Sequence, residues 1–294
     1  RVRRARRLAG GLAGLVLVCL PATWAPAEAE APDPASIEVA AGRAPRLDPG
    51  RGLEGARYVD ESVCHGCHAD AAAAWRPSHH ARAMQAATAE TVLGDFDDRT
   101  HEQDGSKFRF FRQDGGFFVE AEGADGVRRA HAILYTFGVE PLQQYLVAAP
   151  GGRLQALGVV WDVARRRWLD LYPDEQLRPG DAFHWTGRYQ SWNAMCASCH
   201  STDLRKGYDP ESDTYETTWS VIDVGCQACH GPGARHVAWA KADERAQDDT
   251  YGLVVVQPAA SAHAEVEGCA PCHARRAEIA GDDPHRDRLL DDYL

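Results

Sequence analysis

The stretch Trp192-Asn193-Ala194-Met195-Cys196-Ala197-Ser198-Cys199-His200 decides how this 294-residue chain is read. Its last five residues form the pattern Cys-x-x-Cys-His. The pattern recurs as Cys64-His65-Gly66-Cys67-His68, as Cys226-Gln227-Ala228-Cys229-His230 and as Cys269-Ala270-Pro271-Cys272-His273. Eight of the nine cysteines are used in this way, and only Cys19 stands outside the motifs. The spacing is the attachment signature of c-type haem. Two thiols three residues apart reach both vinyl groups of one porphyrin and form thioethers. The histidine that follows lies under the ring and ligates the iron. Tetrahedral zinc also uses paired cysteines but needs no histidine after every pair. Disulfides in an exported chain need none either, and a thioredoxin-like redox site needs one pair rather than four. The reading is therefore four haem c groups attached at Cys64, Cys67, Cys196, Cys199, Cys226, Cys229, Cys269 and Cys272. His68, His200, His230 and His273 are the proximal iron ligands.

The second axial ligands are expected among the other nine histidines. The two methionines are Met84 and Met195, and Met195 abuts Cys196, where it cannot reach across the same ring. Bis-histidine ligation is therefore favoured over His/Met, which implies lower potentials. His79 or His80 follows the first motif. His236 is too close in sequence to His230 to fold back onto the same iron, so it is expected to serve a neighbouring haem. His184, beside Trp185, is the fourth candidate. His131, His263 and His285 rank below these. His101 lies in a polar stretch and is expected to be solvated, and His65 is spare inside its motif.

Outward from the motifs, residues 1–27 have the form of a secretory signal: a basic start, an apolar Leu8–Leu20 run and a small-x-small Ala25-Pro26-Ala27 site. No apolar run is long enough to span a bilayer, so membrane association is not indicated after cleavage. The net charge of −11 becomes −16 without this segment. An acidic chain lacks the basic face that nucleic acid requires. Residues 28–57 form a flexible lead-in and 58–95 a first haem-binding segment. Val63–Trp75 is read as a helix, and Ser78 caps a second helix to about Thr88. Residues 96–182 are a β-rich, cysteine-free insert, with a hairpin around Gln113-Asp114-Gly115-Gly116. Residues 183–294 are a three-haem segment that stops abruptly, with a helix from about Ala234 to Ala246. The expected fold class is α+β with much irregular structure. Haem-packed helices carry the architecture, and the cofactors stand in for a side-chain core.

Several stretches beyond the motifs resemble one family. They are Trp75-Arg76-Pro77-Ser78-His79-His80-Ala81-Arg82-Ala83-Met84, Tyr135-Thr136-Phe137-Gly138-Val139-Glu140-Pro141-Leu142-Gln143-Gln144-Tyr145, His184-Trp185-Thr186-Gly187, Trp192-Asn193-Ala194-Met195-Cys196 and Val224-Gly225-Cys226-Gln227-Ala228-Cys229-His230-Gly231-Pro232-Gly233. Together they resemble bacterial multihaem cytochromes with a cytochrome c-552/c-554 type domain, often fused to C-terminal tetratricopeptide repeats. The resemblance implies an exported electron carrier related to the c-554 and nitrite reductase group. It also implies that this chain is an N-terminal fragment. One departure bears on catalysis: pentahaem nitrite reductases carry Lys in place of the motif histidine at their catalytic haem, whereas all four motifs here end in His.

The leading expectation is thus an exported carrier that relays electrons between redox partner proteins, its acidic surface favouring a basic partner. The alternative is a periplasmic reductase or oxidase of a small nitrogen or sulfur oxyanion, or of hydroxylamine, at a five-coordinate haem. A haem domain for sensing or assembly is a third. The sequence leaves the substrate, potentials, ligand pairing and oligomeric state open.

Overall fold

A computed structural model describes residues 57–103, 105–245, 250–253 and 262–274. The leader over 1–27, the lead-in up to residue 56, the side chain of His263, all of His285 and the C-terminal end lie outside the described residues.

The centre of the molecule is one antiparallel sheet of nine strands. They are β1 (Met84–Ala86), β2 (Arg99–Gln103), β3 (Ser106–Gln113), β4 (Gly116–Glu122), β5 (Arg128–Phe137), β6 (Leu142–Ala149), β7 (Arg153–Ala156), β8 (Val159–Asp162) and β9 (Arg167–Asp170). The order is β2-β3-β4-β5-β6-β8-β9, with β1 added to β5 and β7 to β6. The β3–β4 hairpin turns where the sequence places it, with Gln113 opposite Gly116. Asp114 and Gly115 there have φ of 50° and 81°, the paired positive values of the tight turn that matches strand twist. A register shift between Ile133 and Tyr135 bends β5. The two ends of the strand order then meet: His101 Nε2 on β2 lies 2.5 Å from Asp170 Oδ2 on β9. The sheet is nearly closed into a barrel.

Strand periodicity fills its interior. In β4, Phe117, Val119 and Ala121 are buried while Gly116, Phe118 and Glu120 between them are less so. Phe96 sits edge-on to Phe110, Phe117, Tyr145 and Trp168, with centroids 5.2 to 5.7 Å apart. Trp161, Trp185, Val147 and Leu157 complete this core. Edge-to-face pairs add about 0.5–1.5 kcal/mol each beyond their burial. The fully buried Gln143 sews the preceding loop to the barrel. Its Oε1 accepts from Leu93 N at 2.8 Å and from the Tyr145 hydroxyl at 2.6 Å, while its Nε2 donates to Thr91 O at 3.0 Å.

Two expectations are overturned here. The architecture is β-rich with few helices, rather than haem-packed and helical, and an aromatic side-chain core supplies the packing that was assigned to cofactors. Among the described residues the helices are short: α1 (Glu61–Cys67), α2 (Ala69–Trp75), α3 (Trp192–Met195), α4 (Ala197–His200), α5 (Cys226–His230), α6 (Ala234–Lys241) and α7 (Ala262–His273). The helix expected from Ser78 to Thr88 is absent. Ser78 Oγ accepts from Ala81 N at 3.2 Å in a turn, and Met84–Ala86 pairs as a strand with Phe137–Tyr135. Edge pairing on a long neighbouring strand outweighs the local helix signal. The Val63–Trp75 helix is likewise broken in two at His68.

A second core joins barrel to motifs. Met84, Leu146, Leu154, Ala156, Trp192 and Ala197 are buried together, with Phe137, Cys196 and Trp219 packed against them. Asn193, 1% exposed, fixes α3 to the edge of β7: Oδ1 accepts from Leu154 N at 2.7 Å, and Nδ2 donates to Gly152 O at 3.2 Å.

Candidate haem sites

Each Cys-x-x-Cys-His run lies on or beside a short helix. Residues three apart then share a face, and the histidine follows at the helix end. Cys64 and Cys67 are on α1, and His68 sits between α1 and α2, its N–H donating to Cys64 O at 2.9 Å. Cys196 separates α3 from α4, α5 is the third motif itself, and the fourth closes α7.

Two of the motif thiols are held protonated by their surroundings. Burial pushes the Cys196 thiol up to about 12. Burial and then the Glu61 carboxylate do the same to Cys226, also to about 12. Among the described residues, all eight motif cysteines are free of disulfides. The one described trio able to hold a metal ion, Glu61, His65 and Cys226, contains a single cysteine. That cysteine is shared with the third motif, and thioether formation there would consume its thiol. Four Cys-x-x-Cys-His runs on short helices, each with its two thiols three residues apart, fit haem attachment.

The motifs pack in pairs, α1 against α5 and α4 against α7. Glu61 accepts the backbone N–H of Cys226, and Gly225 leaves room for it: a Cβ there would lie 2.7 Å from Glu61 Oε1. Gln227, 2% exposed, clasps the same seam by bonding both backbone groups of Val59. Cys199 Sγ lies 3.9 Å from Pro271 O, joining the second motif to the fourth.

Two histidine pairs stand out. The rings of His68 and His236 have centroids 5.9 Å apart at 25°. Those of His80 and His273 are 6.0 Å apart at 81°. Metal–nitrogen bonds of about 2.0 Å on each side, plus about 1.1 Å to each ring centre, separate two imidazoles on one ion by about 6 Å. Each pair joins one motif histidine to one from a distant segment. His236 Nδ1 lies 2.8 Å from the Tyr251 carbonyl.

The other sequence candidates are placed differently. His79 is exposed in the turn after α2. His184 is 6% exposed beside Trp185, its Nδ1 2.8 Å from Thr186 Oγ1, and burial lowers its pKa. It lines a small cavity with Asp170, Tyr172 and Glu175 in the barrel wall, so the structure does not bring it to a motif histidine. His131 packs edge-on against Trp185 at 5.0 Å. His101, expected to be solvated, is held in β2 by Asp170. His65 lies 5.4 Å from the Trp75 ring. His200 is pushed down to about 4, chiefly by burial, so its ring stays neutral and able to ligate; Phe137 stands edge-on to it at 4.5 Å. His230 is likewise lowered by burial and by His68 and His236 nearby. The Glu61–Gln227 clasp and the Tyr251 carbonyl escaped the sequence reading. The clasp spans more than 160 residues, and the carbonyl carries no side-chain signal.

Residues 63–109 and 181–231 match the family described as cytochrome c554 and c-prime. The matched segments contain the first three motifs. A solved structure described as the outer cell wall cytochrome OcwA superposes with a TM-score of 0.51 at 18% identity, over 81% of this chain and 44% of that one. This similarity is one of fold, and the chain spans less than half the length of that structure. No curated protein matches the sequence. These matches support a c-type cytochrome.

Proposed function

We propose that this chain is an exported multihaem cytochrome that relays electrons through four haem c groups, most of them with two histidine ligands. The observation that carries the reading is the pair of cross-segment histidine contacts, His68 with His236 and His80 with His273, at centroid distances compatible with two ligands of one iron. The eight motif cysteines attach the porphyrins, and the four motif histidines hold the irons from one side. Bound haem supplies one-electron ferric–ferrous chemistry. The protein's part is to orient the ligands, to half-bury His200, and to clamp the motif helices in pairs. Close pairing of α1 with α5 and of α4 with α7 keeps the attachment points together, as a relay requires. The acidic charge supports a basic redox partner rather than nucleic acid, and the signal-like sequence of residues 1–27 supports an extracytoplasmic location. Among the described residues no helix is long and apolar enough to cross a membrane.

A second reading draws on His200, whose ring faces Phe137. An iron held there with an open position would suit a reductase or oxidase of a small nitrogen or sulfur oxyanion, or of hydroxylamine. One experiment separates the two. The full chain is expressed with a c-type maturation system, and intact mass, a reduced pyridine haemochrome and a ferric spectrum are recorded. Four covalent haems, all low-spin, are expected for the carrier. A high-spin fraction that binds nitrite or hydroxylamine would favour the enzyme. Free or metal-bound thiols without haem would overturn both.

A further inference from the structure

The turn at Thr250–Leu253 is built against one face of α6, where His236 stands. Leu253 N donates to Thr250 O at 2.9 Å, and the two central residues, Tyr251 and Gly252, have φ of 54° and 73°. Positive φ at both centres is unusual, and for an aromatic residue such as Tyr251 it is strained. Strain of this kind persists where surrounding contacts hold it. Here three contacts do. The Tyr251 carbonyl meets His236 Nδ1 at 2.8 Å. The Tyr251 ring packs at 5.4 Å on Trp239, which itself lies 6.1 Å from the His236 ring at 22°. Gly252 is buried on the helix backbone, where a Cβ would come within 2.9 Å of Arg235 O and 3.2 Å of His236 Cα.

The chemistry of the first contact is one-directional. A carbonyl oxygen only accepts, so Nδ1 of His236 carries the proton. In the neutral ring the lone pair is then on Nε2, and the ring's rotation is fixed by the same bond. Metal-ligating histidines are commonly prepared in this way, through a partner on the other ring nitrogen.

We infer that the Thr250–Leu253 turn is a positioning element that fixes the tautomer and rotation of His236, so that its Nε2 is presented as the second ligand of the iron carried by the first motif. This rests on the reading of His68 and His236 as a ligand pair. Tyr251 acts through its backbone and Gly252 through its lack of a side chain.

The test uses the full haem-loaded chain and counts low-spin ferric haems by electron paramagnetic resonance, with redox titration alongside. His236→Ala is expected to remove one low-spin signal, which added imidazole restores. If His236→Ala leaves every signal in place, the ligand pairing fails and the inference falls with it. With the pairing upheld, Gly252→Val is expected to remove or shift the same single signal, and to move that haem's midpoint potential, while covalent haem content and the other signals stay as they were. Tyr251→Gly keeps the carbonyl and relieves the backbone, and is expected to leave the signal intact. A Gly252→Val protein with unchanged spectrum and potential would overturn the positioning role. So would loss of several signals together, which marks damage to packing. Loss of the signal in Tyr251→Gly would assign the effect to the ring instead and overturn it as well.

Discussion

Gln227→Ala tests whether the first and third motifs are held together by side-chain chemistry of the protein itself. Gln227 is 2% exposed, and its amide is fully employed. Oε1 accepts from Val59 N at 2.9 Å and from Gly233 N at 3.0 Å. Nε2 donates to Val59 O at 2.7 Å and, more weakly, to Glu61 Oε2 at 3.3 Å. Each hydrogen bond of normal length contributes about 1 kcal/mol net, and stranding its buried partner costs somewhat more. Three such bonds give an expected loss of about 3 kcal/mol. Guanidinium unfolding of the haem-loaded chain, followed by far-ultraviolet circular dichroism and by the haem absorption band, measures it. Gln113→Ala, at an exposed strand end, is the control and should change stability by less than about 0.5 kcal/mol. Because the clasp lies at the α1–α5 seam, the haem band should move at lower denaturant than the barrel's signal in the variant. A loss below about 1 kcal/mol would refute the reasoning. It would mean that water replaces the amide at no cost, and that the seam is held by the cofactors alone.

Other substitutions probe other links. Gly94→Ala introduces a Cβ 2.6 Å from the Tyr145 hydroxyl oxygen and 3.0 Å from the Trp168 ring; overpacking there should cost about 1–3 kcal/mol in the same unfolding assay. His80→Ala should convert one low-spin ferric haem to high-spin without loss of covalent haem, read from the ferric spectrum; an unchanged spectrum would remove His80 as the partner of His273. Asp223 carries a pKa raised to about 7, first by burial and then by the Glu61 carboxylate. A carboxyl raised in this way binds more protons folded than unfolded, so its contribution is complete below the ordinary carboxylate range and is lost as pH rises towards about 7. Stability measured from pH 4 to 8 should therefore decline over that window, and Asp223→Asn should flatten the decline.

The attachment motifs were legible because their chemistry is local: two thiols and an imidazole within five residues need no tertiary information. The hairpin at Asp114-Gly115 was legible for the same reason, since two left-handed residues between alternating apolar strands specify a turn. The core was misread. Phe96, Phe110, Tyr145, Trp161 and Trp168 converge from five separate segments, and no one of those segments announces a barrel. The expectation that cofactors stand in for a side-chain core fails because the barrel's own aromatic residues fill the interior. Ser78–Thr88 carried helix signals that a long β5 partner overrode. Of the candidate second ligands, His236 and His80 meet motif histidines only through contacts across more than 160 residues, a separation that sequence spacing cannot address. His184 has as plausible a local context as either, yet the barrel keeps it.

That division explains why the motifs sit where they do. A haem attached through two thioethers needs little enclosing core, but it needs ligands delivered from outside its own helix at a fixed distance. Short helices alone cannot define that distance, because segments of four to eight residues have no stability by themselves. The barrel can. Asn193 and Trp192 tie the second motif to β7 and the second core. Cys199 then meets the fourth motif at Pro271, and in the turn that carries His80 the His80 carbonyl accepts from the N–H of Val224, beside the third. From Val224 the Glu61–Gln227 clasp reaches the first. Each motif is thus referred back to one sheet through backbone-directed hydrogen bonds and close packing contacts, so that the barrel, rather than the number of cofactors, sets the spacing of the histidine pairs.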